Sequence, residues 1–370
     1  MANPRKSLLR NLLIAAFLVL AAAFGFLYLA LKDTDEIQYP TSIADIYSPP
    51  EVEPETAQAF RALFYRGNTS LDPVIEATAD ALPRNLTIPD PASAPTINPR
   101  TGEALTQDSA PPGDSDAFWQ AVEEAWQNFQ PARETYRSIV RNPPYPLAYE
   151  TFNDQAPALH RLRAAYATSI LKARALQMGG ENPNPLLAES TRFIRNYYQS
   201  SAATLDLIQA MAAFRMLVET FDPAYLATSP EVVAALREWK ETWRLKNARA
   251  MKLEFIFLYN AIMLEETAPA GALFGDAAGA PGPFFMNFLF KPNQTFNAHW
   301  DYNNRLGQAV LEDDLEAMAQ IEQELVDKAA GGGWTNLLGN AIVSMSILGI
   351  EDLYNTQLQF EQQIAPILNP

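Results

Sequence analysis

An uninterrupted apolar segment near the N-terminus constrains this chain more than any other feature of its sequence. The segment runs from Leu12 to Leu31, twenty residues without a charged side chain. At about 1.5 Å of rise per residue, a helix of this length spans roughly 30 Å, the thickness of the hydrocarbon core of a membrane. We therefore predict a transmembrane helix over residues 12–31, in contact with membrane lipid.

The charges that flank this segment predict its orientation. Basic residues precede the segment, and acidic residues follow it almost at once. By the positive-inside rule, residues 1–11 form a short cytoplasmic tail and the rest of the chain lies outside. The alternative is a cleaved signal peptide, whose apolar region is usually about 7 to 15 residues long. Because the apolar run here is longer and contains large aromatic residues to its end, we expect an uncleaved anchor.

The next stretch, residues 32–115, is rich in proline and, after Pro83, poor in apolar residues. Such a composition cannot bury enough apolar surface to offset the conformational entropy that ordering would remove. We predict an acidic tether with two short helices, one from Pro54 to Tyr65 and one from Pro73 to Leu82. The first helix has apolar residues on one side, and the second has Asp72 as N-cap and Pro73 at its first helical position.

Residues 116–370 show a helical periodicity, since apolar residues recur every three to four positions and strict alternation is almost absent. We predict an all-α fold for this part, a bundle-like multi-helix domain outside the cytoplasm. Its longest helix is expected to begin at Pro230, with Ser229 as N-cap. The second half of that helix is apolar nearly all round, which is typical of a central helix.

The composition excludes several classes of protein. The chain has no Cys and two His, so a disulfide framework, a thiol nucleophile, an iron–sulfur cluster and a histidine-rich metal site are not expected. The net charge is −16, which argues against nucleic acid as a partner because phosphate contacts require clustered Lys and Arg. The sequence contains no recognisable catalytic, cofactor-binding or metal-binding motif, which favours a non-enzymatic role.

One candidate site is a charged pair in apolar surroundings. Arg215 and Glu254 each lie within a segment that is otherwise predicted to be buried. A buried carboxylate must be paired or neutral, so one interpretation is a buried ion pair between the two side chains. The others are exposure of Glu254 beside Arg249 and Lys252, or a general acid with a raised pKa.

A second candidate is an apolar segment between Pro283 and Pro292. It contains the residues of a possible interaction patch, namely Phe284, Phe285, Phe288, Leu289 and Phe290. One interpretation is that this segment packs into the core of the domain itself. The other is an exposed patch that binds a partner or the membrane surface.

These features together predict a location and a class of function. A Cys-free exported domain on a single anchor fits the periplasmic side of a bacterial inner membrane. The leading hypothesis is a structural or assembly subunit, or scaffold, of a cell-envelope membrane complex, with other membrane or periplasmic subunits as partners. The alternatives are a membrane-anchored cell-wall glycan hydrolase or transglycosylase, and a helical binding module for an apolar ligand.

Overall fold

The structure, a computed structural model, confirms the all-α prediction for the residues that it describes. These are residues 35–40, 46–48, 50–83, 88, 115–147, 158–263, 290–331 and 350–369. Within them, regular structure consists of α-helices and one turn of 3-10 helix at Gln130–Ala132. None of these helices combines the length and the apolarity that a membrane crossing needs, and the predicted span over residues 12–31 lies outside the described ranges.

The described helices are numbered α1 to α12 in chain order. They are α1 Pro54–Phe64, α2 Asp72–Ala81, α3 Ser115–Phe129, α4 Arg133–Arg141, α5 Leu159–Met178, α6 Asn184–Ser200, α7 Thr204–Thr220, α8 Pro223–Ala227, α9 Pro230–Met263, α10 Pro292–Glu312, α11 Leu315–Gly331 and α12 Ile350–Leu368. The chain divides into two compact units. The larger unit takes its described residues from Ser42–Glu254, Val310–Asp313 and Glu351–Pro370, and the smaller unit from Met1–Thr41, Phe255–Ala309 and Asp314–Ile350.

Helix α5 lies at the centre of the larger unit. It packs against α1, α2, α3, α6 and α7. Every residue from Ala164 to Leu171 is buried, and most of these side chains are small. Small side chains let neighbouring helices approach closely, so α5 can be enclosed on all sides.

Proline and hydroxyl side chains set two helix boundaries in the larger unit. Pro131 ends α3 in the 3-10 turn because proline has no N–H for the helical ladder, and α4 follows directly. Between α6 and α7, the hydroxyls of Ser200 and Ser201 donate to the carbonyls of Asn196 and Tyr197 at 2.8 and 2.7 Å. Such side-chain bonds compete with helix continuation, and the helix stops at Ser200.

The two short helices predicted within the tether are present, and they belong to the core of the larger unit. Helix α1 buries Phe60, Leu63 and Phe64 completely. The ring of Phe64 lies 5.6 Å from that of Phe193 on α6, measured between centroids. Helix α2 packs on α3 and α5. Residues 50–83 therefore fold with the helical part, whereas most of the Pro-rich stretch from 84 to 114 lies outside the described residues.

A buried arginine joins α5 to the α1–α2 region. Arg161 is 2% exposed, and its guanidinium donates to the Asp72 carboxylate, to Glu76 at 2.9 Å and to the carbonyl of Tyr65 at 2.9 Å. The Arg161 hydrogen bond holds the pKa of Asp72 below its usual range. His160 adds a contact of 3.1 Å from Nε2 to Glu76. One side chain thereby satisfies a main-chain carbonyl and two carboxylates from a segment distant in sequence.

Aromatic residues pack α9 against α12 within the larger unit. Trp239 and Trp243 lie one turn apart on α9, with ring centroids 5.9 Å apart in a stacked arrangement. Phe360 meets Trp239 edge-on at 4.8 Å, and Tyr354 lies 5.1 Å from Trp243. The predicted start of the long helix at Pro230 is confirmed.

Asp313, directly after α10, adds hydrogen bonds to the packing of α9 against α12. Asp313 adopts a φ of 61°, the left-handed conformation that Asp tolerates at a helix C-terminus. Its carboxylate accepts from Arg244 at 3.3 Å and from the hydroxyl of Tyr354. Arg244 also donates to Glu361 at 3.1 Å, so one guanidinium serves two parts of the unit.

In the smaller unit, α10 and α11 form a helical hairpin. Arg305 donates two hydrogen bonds to the Glu324 carboxylate, at 2.8 and 3.0 Å. Asp314 starts α11, and its carboxylate accepts from the amide of Ala317 at 2.9 Å, which is an N-cap. These contacts fix the position of α10, which carries the site described next.

Candidate interaction site

A short non-helical segment, residues 35–40, lies against α10 in the smaller unit and is called here the docked segment. Asn297 donates to the carbonyl of Glu36 at 2.7 Å and accepts from the amide of Gln38 at 2.8 Å. Asn293, one turn earlier on α10, donates to the carbonyl of Asp35 at 2.9 Å. Because these bonds use main-chain atoms of the segment, the side chains of residues 35–38 remain exposed.

One side chain of the docked segment enters the smaller unit. Tyr39 is 8% exposed, and its ring centroid lies 5.4 Å from Phe255, 5.5 Å from Tyr259 and 5.6 Å from Phe296. Aromatic pairs at these separations contribute about 0.5–1.5 kcal/mol each beyond the burial of their area. The segment is therefore held by three main-chain bonds and one enclosed ring.

A second layer of rings supports this cluster. His299 is fully buried, with its ring 5.6 Å from Phe255, and Trp300 lies 5.3 Å from the same ring. Burial lowers the pKa of His299 to about 3, so its imidazole is neutral at physiological pH. His299 is thus a packing residue.

The protonation of His299 makes the stability of the smaller unit depend on pH. An unfolded histidine binds a proton near pH 6.5, whereas the buried imidazole does so only near pH 3. Stability should therefore fall as the pH drops from about 6.5 toward 3, by up to about 1.4 kcal/mol per pH unit. Comparing denaturant unfolding at pH 7.5 and 5.0, we expect His299→Gln to lose about 2 kcal/mol less than the wild type. Equal losses would contradict this role of His299.

The predicted interaction patch lies only partly within the described residues. Phe284, Phe285, Phe288 and Leu289 lie outside them. Phe290 is 5% exposed, and its ring lies 6.2 Å from Phe296, which also contacts Tyr39. The one described member of the patch is therefore an internal packing residue, and the interpretation of the other four as an interaction surface stays a prediction.

The predicted ion pair between Arg215 and Glu254 is replaced by two separate interactions. Arg215 is half-exposed and donates to Glu219, one turn later on α7, at 2.9 Å. Glu254 accepts from the amide of Thr204, the first residue of α7, at 3.1 Å. The two side chains do not meet because Arg215 lies on the solvent-facing side of α7, together with the exposed Ala212 and Glu219.

Glu254 lies at the N-terminus of α7 and is bonded to its first main-chain amide. Burial raises its pKa, and the nearby carboxylate of Asp206 acts in the same direction, whereas the bonds from Thr204 lower it. Asp206 itself accepts from the hydroxyl of Tyr197 at 2.9 Å. A carboxylate at this position satisfies a main-chain N–H and complements the helix dipole.

Lys246, two turns earlier on α9, has the complementary role at the C-terminus of α6. Its ammonium donates to the carbonyls of Gln199 and Ser201, both at 3.0 Å. Burial lowers the pKa of Lys246 to about 8. The ammonium satisfies carbonyls that the helix end leaves without an intrahelical partner. Glu254 and Lys246 thus satisfy main-chain groups at the start of α7 and at the end of α6.

The residues that hold the docked segment were not identified from the sequence. Asn293 and Asn297 lie four positions apart, which places both on one face of a helix. Tyr39 is a single aromatic residue between Gln38 and Pro40. Neither the asparagine spacing nor the single tyrosine predicts a site by itself. Their partners lie more than 250 positions away in the chain.

No known protein family, curated protein or solved structure matches this chain. Within the described ranges, no group of three or more His, Asp or Glu side chains is placed to hold a metal ion.

The docked segment can be tested by its susceptibility to proteases. Tyr39→Ala removes the enclosed ring, and we expect cleavage between residues 33 and 48 to become at least about tenfold faster, since losing a buried aromatic side chain costs about 3 kcal/mol or more. Tyr39→Phe is the matched control, because it keeps the ring and removes the hydroxyl, which lies 3.3 Å from the Asn293 side chain. Equal cleavage of the two variants would contradict the enclosed position of Tyr39.

Proposed function

We propose that this chain is a single-pass, membrane-anchored protein whose helical part is a structural or assembly subunit of a cell-envelope complex. Its short N-terminal tail would lie in the bacterial cytoplasm and its bundle-like helical part in the periplasm. Its partners would be other membrane or periplasmic subunits.

The observation that carries this proposal is the position of the docked segment in the chain. The predicted span ends at Leu31, and the first contact with α10 is made at Asp35. Four residues of extended chain reach at most about 14 Å. If residues 12–31 cross the membrane, the smaller unit is held close to the membrane surface. A folded unit held at the membrane surface would be placed to bind other membrane subunits.

The charge of the exported part agrees with a role in protein assembly. Residues 32–370 carry 24 basic and 43 acidic side chains, a net charge of −19. Anionic lipid headgroups repel a polypeptide that carries such a negative charge. If residues 12–31 cross the membrane, the docked segment would connect the smaller unit to that span. Protein surfaces with a positive charge would complement the acidic part of the chain.

The alternative of an apolar-ligand module has less support. A cavity in the larger unit, lined by residues that include Leu162, Tyr166 and Phe193, has a volume of about 10 Å³. That volume accommodates about one water molecule, whereas drug-sized ligands occupy pockets of about 300–1,000 Å³. This cavity is therefore too small for a drug-sized ligand.

Glu254 is the observation that favours the hydrolase alternative, because catalytic acids often have a raised pKa. Its carboxylate is, however, bonded to the first amide of α7. A cell-wall hydrolysis assay of the wild type beside Glu254→Gln discriminates between the two functions. We expect no hydrolysis by either protein, and activity that Glu254→Gln abolishes would support the hydrolase.

Membrane anchoring can be tested by extraction of isolated membranes at alkaline pH. We expect the full chain to remain in the membrane pellet, and its C-terminal part to be digested by a protease added from the periplasmic side. The variant Leu20→Arg/Ala23→Arg should be released, because each arginine at the centre of a span costs about 2.5–3.5 kcal/mol. Recovery of the wild type in the soluble fraction would contradict the proposal.

A further inference from the structure

The docked segment is recognised mainly through its backbone. Asn297 binds an acceptor and a donor of the segment at once, the carbonyl of Glu36 and the amide of Gln38. An amide side chain carries one acceptor and one donor group, so it can bind a main-chain amide and a main-chain carbonyl at once. These bonds do not depend on the identity of the peptide's side chains. Ile37, which lies between the two bonded residues, is 57% exposed.

The single requirement on side-chain identity lies at Tyr39. Its ring is enclosed by Phe255, Tyr259 and Phe296, three residues after the carbonyl that Asn297 holds. Phe255 and Phe296 are completely buried, which gives the ring a supported surface. The site therefore holds this segment by three main-chain groups, at Asp35, Glu36 and Gln38, and by one aromatic ring.

We propose that this part of the smaller unit is a peptide-binding site, and that residues 35–40 are its ligand in cis. Its ligand class is a non-helical peptide with an aromatic residue three positions after the carbonyl bound by Asn297. None of the contacts requires that the peptide belong to the same chain. A separate peptide of this kind, from an assembly partner, would displace the docked segment and occupy the site in trans.

This inference uses the same site as the proposed function, but it does not need residues 12–31 to cross a membrane. Peptide binding is measured with detergent-solubilised full chain, whereas anchoring is measured by membrane extraction. Either idea can therefore fail while the other holds.

The test uses a fluorescein-labelled peptide with the sequence of residues 33–42, DTDEIQYPTS, and fluorescence anisotropy. In the variant Gln38→Pro/Tyr39→Ala, the docked segment loses an amide donor and its ring, so the site should become available. We expect saturable binding to this variant and at least tenfold weaker binding to the wild type, because a tethered segment competes at an effective concentration of about millimolar.

Three controls address the recognised groups. In the chain, adding Asn297→Ala to the double variant should weaken peptide binding about five- to tenfold, since it removes two hydrogen bonds. A peptide methylated on the amide nitrogen of Gln38 should bind several-fold more weakly, and a peptide with alanine at the Tyr39 position should show little binding. Thermal unfolding of each variant shows that it is folded.

A measurement on the wild type keeps the inference testable if the variants are unstable. Unlabelled peptide at saturating concentration should accelerate protease cleavage of the chain's own docked segment, whereas the peptide lacking the aromatic ring should not. Absence of binding to the available site together with unchanged cleavage would overturn the inference. So would equal binding of the three peptides.

Discussion

Replacing Phe193 with alanine is expected to destabilise the larger unit by about 3–5 kcal/mol, the range for removing a fully buried phenylalanine. Phe193 is 1% exposed. Its ring centroid lies 5.6 Å from Phe64, 5.0 Å from Tyr136 and 5.7 Å from Tyr145. The substitution therefore leaves a cavity where α1, α4, α6 and the residues after α4 meet, and rigid rings cannot collapse into it.

The measurement is urea unfolding of the detergent-solubilised chain, followed by the fluorescence of its tryptophans. Phe193→Leu retains most of the volume and should cost less than about 1.5 kcal/mol. Leu205→Ala, at a position that is 48% exposed on α7, should change stability by less than about 0.5 kcal/mol. If Phe193→Ala behaved like Leu205→Ala, the described core of the larger unit would be incorrect.

Replacing Arg161 with alanine is expected to cost about 2–3 kcal/mol. Removing one member of a buried ion pair usually costs about 3–5 kcal/mol, because the partner is left uncompensated. Asp72 and Glu76 are 25% and 44% exposed at their side chains, so water can replace part of the lost contact and lower the cost. The carbonyl of Tyr65, which Arg161 also holds, loses its donor.

The expected consequence is local as well as global. Helices α1 and α2 should become sensitive to proteases before the rest of the larger unit unfolds, because Arg161 joins them to α5. Arg163→Ala, two positions later at an exposed site on α5, is the matched control and should stay within about 0.5 kcal/mol of the wild type. Arg161→Lys should recover only part of the loss, since an ammonium cannot reproduce the planar fork of the guanidinium. Equal stability of Arg161→Ala and Arg163→Ala would contradict this account.

Several helix boundaries in the described residues were predictable because their causes are local. Proline ends α3, proline begins α9, and serines interrupt the chain between α6 and α7. The short helices α1 and α2 were likewise predicted from their apolar spacing and their prolines. Each of these signals acts within one or two turns of the chain, where sequence patterns are informative.

Contacts between distant residues were not predictable in the same way. The partners of Arg161 lie 85 to 96 positions away in the chain, so no local sequence pattern marks this contact. An ion pair between Arg215 and Glu254 was one of three interpretations of the sequence, and it required two residues on different helices to lie side by side. The spacing of Ala212, Arg215 and Glu219 already places Arg215 on one exposed stripe of α7, whereas the role of Glu254 depends on where α7 begins.

The candidate site was the least predictable feature. Asn293 and Asn297 bind main-chain atoms, which every peptide carries, so the sequence of residues 35–40 holds no matching signal except Tyr39. The aromatic cluster could be expected from the apolar second half of the long helix, but its contact with a residue near the predicted span could not. Long-range docking of this kind requires the three-dimensional arrangement of α9 and α10.

The central claim, that this chain is an anchored subunit of an envelope complex, is tested most directly by native mass determination. The tagged full chain would be purified from its native membranes in mild detergent, and each retained component would be identified and quantified. The account predicts at least one other protein at a fixed stoichiometry, retained by the wild type. Recovery of a lone monomer or a homodimer would contradict it.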